Sequence, residues 1–311
     1  MREESKRTIN PMVTTMVMGY HRSRHQSLKV FTSDRYHELT AKDKAYGLEI
    51  ETNCTWINVH GTSQQGRESI GALLQEVVFK EFPKDFVRWE LDGSINGAEC
   101  ITQCMTKEFI RNHYAQFKNL FDVYLPKFGM TPNISCGMHT NISLANFGIN
   151  EEKRIENAKK LYYFINKHYD LACCLLQRNP SRTTYCGRMS SRVTIQSAKE
   201  IDLHDFYDDH GSCINFGHVY ETRESARRVE LRLVGGQTKF AMFRNTMETI
   251  FHIMDAIKNV SWESLDKLEV VFRGCNKYVL SRLDLCRENG LLSESVYQKI
   301  KEKSDTETEY I

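Results

Sequence analysis

Residues 46–52, YGLEIET, alternate apolar and polar side chains, and this short run limits the possible folds more than any other stretch. Side chains two apart on a strand share a face. Glu49 and Glu51 then stand together, while Leu48 and Ile50 point the opposite way. Neighbouring carboxylates disfavour each other's charge, so a strand that carries both needs a counter-charge nearby.

The same parity recurs in four further stretches. In VRWELD, Arg88, Glu90 and Asp92 share one face. In AECITQ, Glu99 and Gln103 share a face with Ile101 between them. In CGMHTNISL, His139, Asn141 and Ser143 lie together, opposite Met138, Ile142 and Leu144. In RRVELRLV, Arg228, Glu230 and Arg232 oppose Val229, Leu231 and Leu233. A solvated face of an antiparallel sheet would explain polar alternation as such. Such a face would carry Lys, Thr, Ser and Gln, yet lysine is absent from all five windows. Short carboxylates with one imidazole suit divalent metal ions. Arginines on the same face suit phosphate, whose oxygens a guanidinium binds in pairs. On these grounds a metal–phosphate site and a wet sheet face weigh about equally, because structural ion pairs mimic sites.

Around these strands the chain reads as α+β, with a largely antiparallel curved sheet and helices on one face. Apolar spacing at Ile70, Leu73, Leu74, Val77, Val78 and Phe82 predicts a helix over 63–82. Further helices are expected over 107–125, 151–177, 238–260, 261–288 and 292–303. Strands are expected over 45–59, 85–106 (strand, turn, strand), 135–144 and 227–236. Residues 1–43 read as irregular or weakly helical, and 178–216 as mostly loop with a short strand or two. The expected organisation is an N-terminal extension (1–43), a catalytic domain (44–260) and a C-terminal helical segment packed on it (261–311).

Composition narrows the classes of function. With 42 basic and 40 acidic residues in 311, the net charge of +2 gives no global case for nucleic-acid or membrane binding. The basic run YHRSRHQSLK is read as a solvated N-terminal segment in preference to a nucleic-acid arm. No apolar run approaches the about 18–20 residues of a membrane span. The ten cysteines avoid CxxC spacing, and no secretory signal is present, so free thiols in a reducing cytoplasm are expected. Oligomeric state is left open.

Two other motifs compete. HGTSQQGRE has the glycine spacing of a phosphate loop, but Arg67-Glu68 stands where Lys-Ser/Thr is needed. It is read as a loop entering a helix, with Arg67 a candidate substrate contact. HDFYDDH matches no metal-ligand spacing and is read as an acidic loop. Arg182 in NPSRTTYCG is read either as a substrate-binding arginine or as a surface one.

The ordered set E-x-E, D-G-S with a glutamate seven after the Asp, a strand G-x-H, and a late E-x-R resembles the carboxylate–amine ligases of the glutamine synthetase-like superfamily. Within it, the four pieces YGLEIET, LDGSINGAECIT, CGMHTNISL and RRVELRLVGG are most similar to the amidoligase family of phages, bacteria and fungi. The likeness covers about residues 46–236. It implies a glutamine synthetase catalytic-domain-like fold and ATP-dependent amide formation with Mg²⁺, Mn²⁺ being the alternative. Glu49 and Glu51 then correspond to paired ligands of two metal ions, and Asp92 and Glu99 to an acidic pair supporting one of them. His139 would ligate the other metal or contact phosphate. Glu230 would be the late metal ligand, and Arg232 would hold the ATP phosphates, with Arg228 a neighbour by parity. The implied partners are a small-molecule or peptide carboxylate and an amine. Two departures stand out: CITQ follows Glu99 where relatives often have Ser-Pro, and Thr140-Asn141 stands where many have a second histidine. A non-catalytic binding protein on the same fold, or a phosphagen-type kinase, are the alternatives.

Overall fold

A computed structural model describes residues 17–18, 28–33, 35–54, 64–83, 86–90, 95, 97–133, 135–179, 186–206, 211–305 and 307, with backbone only at 17–18 and 64–69. Its strands are β1 (Val17–Met18), β2 (Lys29–Phe31), β3 (Tyr36–Glu38), β4 (Tyr46–Cys54), β5 (Val87–Glu90), β6 (Gly97–Thr102), β7 (Cys104–Met105), β8 (Met130–Thr131), β9 (Met138–Ser143), β10 (Ile214–Asn215) and β11 (Arg228–Leu231). The helices used below are α1 (Gln64–Val78), α2 (Lys107–Asn112), α3 (Tyr114–Asn119), α4 (Leu125–Lys127), α5 (Glu151–Lys167), α6 (Tyr169–Leu175), α7 (Ile195–Glu200), α8 (Phe240–Asn259), α9 (Leu268–Val271), α10 (Lys277–Glu288) and α11 (Glu294–Lys301).

All the strands belong to one curled sheet, antiparallel except for β1 on β5 and β2 on β7. The YGLEIET strand lies at its centre. It pairs with β6 on one side (Glu51 opposite Glu99) and β9 on the other (Glu49 opposite His139). β5 lies beyond β6, which puts Glu90 opposite Glu99. On the other flank β11 lies beyond β9, with Glu230 opposite Asn141. The predicted α+β class with a largely antiparallel curved sheet is therefore what the chain adopts.

The parity holds. Leu48 and Ile50 are buried in one apolar cluster with Phe117, Phe243 and Phe251 from the helices. Tyr46 meets Phe251 of α8 edge-on at 4.9 Å, and Phe243 stacks between Phe117 and Phe121 at 4.7 and 4.9 Å. Each such ring contributes roughly 1.5–3 kcal/mol by burial. Leu283 and Ile300 of the last helices join the same cluster. Val30, Leu39 and Ala45 form a small separate one beneath β2 and β3.

Where the elements differ from expectation, local chemistry explains the difference. β2 and β3 pair as antiparallel strands where irregular or helical chain was expected, and the Thr32 hydroxyl and amide both donate to the Arg35 carbonyl. The predicted 178–216 loop holds β10 but also α7, which a Thr194–Ser197 capping box starts. The single helix expected over 151–177 breaks at His168 into α5 and α6. That over 107–125 is interrupted at His113 and by a π-turn at Leu120–Tyr124. That over 261–288 is broken ahead of α10 by Gly274, whose φ of +69° a helix cannot use. Strand β11 ends at Leu231, short of the predicted 236, and β4 at Cys54, with 55–59 outside the described residues. Among the described residues no helix is long and apolar enough to cross a membrane, and all ten cysteines are free.

Candidate metal centre

The polar face of the sheet gathers its acids around one imidazole. His139 Nδ1 lies 3.3 Å from Glu49 Oε2 and 3.4 Å from Glu230 Oε1. Its Nε2 lies 3.5 Å from Glu51 Oε1. Two sets of ligand atoms result, Glu49–His139–Glu230 and Glu51–Glu99–His139, each within 4.8 Å of one another. The cross-strand register is what brings these atoms together.

Three of these carboxylates, Glu49, Glu51 and Glu230, are also held by the backbone or a neighbouring side chain. The Gly137 amide donates to Glu51 Oε2 at 2.5 Å. A Cβ added at Gly137 would sit 3.1 Å from His139 Nε2 and 3.4 Å from Arg178 Nη1, so a larger residue would press on the imidazole by a few tenths of an ångström. Asn141 Nδ2 donates to Glu49 Oε1 at 2.7 Å, and Asn215 Nδ2 to Glu230 Oε2 at 2.9 Å. Arg232 Nη1 donates to Glu230 Oε1 at 2.6 Å, so the arginine expected on ATP phosphate rests on a candidate ligand. Arg228 Nε donates to Asn141 Oδ1 at 2.9 Å.

Electrostatics follow from this packing. Burial alone would raise the Glu49 carboxyl, but His139, Asn141 and Arg228 outweigh it and hold it below the usual carboxylate range. Burial alone would lower His139, but Glu49, Glu51 and Glu230 outweigh it and favour the imidazolium. Glu51, Glu90, Glu99 and Glu230 are buried, and Glu49 is about a quarter exposed (26%). Arg232 is ion-paired with Glu230, and Arg228 helps to hold Glu49 ionised.

Most of the expected site residues meet here: Glu49, Glu51, Glu99, His139, Glu230, Arg228 and Arg232. Asp92 and Arg182 lie outside the described residues, as does the side chain of Arg67, whose backbone belongs to α1. Residues 60–63 of the glycine-spaced loop and 207–210 of HDFYDDH also lie outside them. Sequence reasoning placed Glu90 on the acidic face but did not count it as a site residue; its parity with Asp92 was the available signal. It also passed over Arg178. Gln177, at a φ of 63°, turns the chain there, its amide held by Gln237, Met242 and Thr246. Arg178 is buried and donates to the Cys136 carbonyl and Cys186 Sγ, both at 2.9 Å. No periodic pattern marks a residue placed by such a turn.

Comparison with family models and with curated proteins finds no match for this chain, so the resemblance rests on its four ordered motifs.

Proposed function

We propose that the chain is an ATP-dependent carboxylate–amine ligase of the amidoligase type, on a glutamine synthetase-like sheet. The observation that carries this reading is the pair of ligand sets meeting on the two nitrogens of His139. Carboxylate oxygens with one imidazole form a donor set that fits Mg²⁺, and fits Mn²⁺ with more tolerance of nitrogen. Glu49, His139 and Glu230 would hold one ion, and Glu51 and Glu99 a second. Bound there, the ions would neutralise the charge of ATP and of the transferring phosphoryl group.

In the proposed reaction the γ-phosphoryl group of ATP passes to a substrate carboxylate oxygen, giving an acyl phosphate and ADP. The amine attacks the acyl carbon, the amide forms, and orthophosphate leaves with the electrons of the broken C–O bond. The protein's part is positioning and charge. Gly137, Asn141 and Asn215 fix the carboxylates before any substrate arrives. Arg232, which donates to Glu230, would be the residue on this face to contact phosphate.

A second reading has one observation in its favour. An imidazolium at His139, 3.3–3.5 Å from three carboxylates, would neutralise part of the cluster without metal, as in a binding protein on the same fold. Titration calorimetry with a non-hydrolysable ATP analogue separates the two. The ligase reading expects binding that requires Mg²⁺ and weakens at least tenfold in Glu230→Gln. Binding that ignores Mg²⁺, or no binding at millimolar analogue, would refute it.

A further inference from the structure

A cavity of about 300 Å³ opens on the polar face, lined by Glu49 but by none of the other candidate ligands. Leu28, Leu39, Ala45, Ile101 and Cys104 supply an aliphatic wall. Arg228 lines it too, and its partners are unusual. Its Nε donates to Asn141 Oδ1 and its Nη1 to the Ala226 carbonyl, both neutral acceptors. The half-buried Arg228 makes no ion pair among the described residues, whereas the adjacent Arg227, which also lines the cavity, is paired with Glu151 at 3.2 Å. Asn141 explains the difference: it donates to Glu49 with one end and accepts from Arg228 with the other, standing between the two charges. A half-buried guanidinium hydrogen-bonded to neutral oxygens retains the capacity to pair with an anion.

We propose that this cavity seats the acid substrate, a compact aliphatic carboxylic acid whose carboxylate pairs with Arg228. The proposal rests on the ligase reading for the fate of that acid. Charge favours the acid over the nucleotide: of the two guanidiniums that line the cavity Arg227 is already paired with Glu151, which leaves Arg228 beside Glu49 and Glu90, and a triphosphate would be repelled by both carboxylates. Size limits the acid, since the space equals that of about ten liquid waters. A body of amino-acid dimensions fits, and a polymer end would have to enter by its last residue alone. The aliphatic wall favours an acid with an apolar chain. Asn141 is a positioning residue that keeps Arg228 available.

The test is saturation-transfer NMR on the full chain with Mg²⁺, using butyrate, glutarate and adenosine as separate probes. Variants are Arg228→Gln, Arg228→Lys and Asn141→Asp, each first checked for a wild-type melting temperature. The proposal expects the two carboxylates to bind wild type and adenosine to leave them in place. It expects at least tenfold weaker carboxylate binding in Arg228→Gln and in Asn141→Asp, where the new carboxylate would capture the guanidinium. Arg228→Lys should restore part of the affinity. Carboxylate binding unchanged in Arg228→Gln would overturn the proposal, as would adenosine displacing the carboxylates. Calorimetry with the ATP analogue keeps the two ideas apart. Analogue bound but no carboxylate bound sinks the cavity assignment and leaves the ligase reading. Carboxylates bound through Arg228 with no analogue binding does the reverse.

Discussion

Replacing Glu51 by Gln should cost little in the metal-free protein and abolish the response to metal. Glu51 is 4% exposed, and glutamine keeps an oxygen to accept from Gly137. The lost attraction is to His139 Nε2 at 3.5 Å, worth about 5 kcal/mol for a charged imidazole at an effective dielectric constant of about 20. The relieved repulsion is with Glu99, with ligand atoms within 4.8 Å, and is worth about 3 kcal/mol on the same basis. The two nearly cancel, so the metal-free melting temperature should move by only a few degrees. Metal tells the variants apart. At one hundred times its dissociation constant, bound Mg²⁺ adds about 2.7 kcal/mol. Unfolding entropy scales with length, and for 311 residues that is a rise of about 4 °C. A hundredfold weaker site in Glu51→Gln would retain about 0.4 kcal/mol at the same concentration, less than about 1 °C. Calorimetric melting with and without Mg²⁺ reads both. An equal rise in the variant, or no rise in wild type at millimolar Mg²⁺, would refute the assignment of Glu51 as a ligand.

Arg111→Met should destabilise strongly, because it strips the bidentate partner (2.8 and 2.6 Å) from the fully buried Glu248 and leaves that charge to Tyr114 and Asn276. The expected loss is about 3–5 kcal/mol in a denaturant titration. His168 and His252 are held neutral, each lowered from 6.5 by burial. Their unfolded forms bind protons that the folded forms refuse, so this contribution is complete above pH 6.5 and is lost as pH falls through the window beneath it. His252→Gln should flatten that acid-side slope while keeping a donor for the Val271 carbonyl; an unchanged slope would rule the residue out. Cys174 is lowered to about 7 by a hydrogen bond from Cys286 and by Arg282, whereas burial raises Cys100 and Cys275. Brief iodoacetamide treatment near neutral pH followed by peptide mass spectrometry should therefore find Cys174 modified before those two.

What could be read from the sequence was whatever repeats with period two. Glu49, His139 and Glu230 could each be assigned a face without knowing which strands pair, because alternation fixes the face of each strand. That is why the acidic face and the apolar face both emerged correctly. The order β5–β6–β4–β9–β11 did not, and with it went the fact that Glu90, Glu99 and Glu51 stand in one row. Arg178 was missed, and Asn141 was placed on the polar face without a role, for a different reason. One is set by a left-handed turn at Gln177, and the other acts through two partners, Glu49 and Arg228, that lie 92 and 87 residues away. Residue type and spacing carry neither.

The charge placement has a consequence for folding as well as for chemistry. Glu49 and Glu51 lie on the central strand, paired on both sides, so the backbone cannot shift to separate them. A domain is stable by only about 5–15 kcal/mol, and each unrelieved carboxylate contact here would take about 3 of them. The sheet can form only if the relief is built in: the Gly137 amide, Asn141, Asn215, Arg232 and the imidazole of His139 provide it. These same groups aim the oxygens inward before a cation arrives. Part of this relief is cationic, from Arg232 and His139, and part is hydrogen bonding from Gly137, Asn141 and Asn215, which leaves the carboxylate charge in place. The buried Glu and His groups of this face could therefore hold a metal ion.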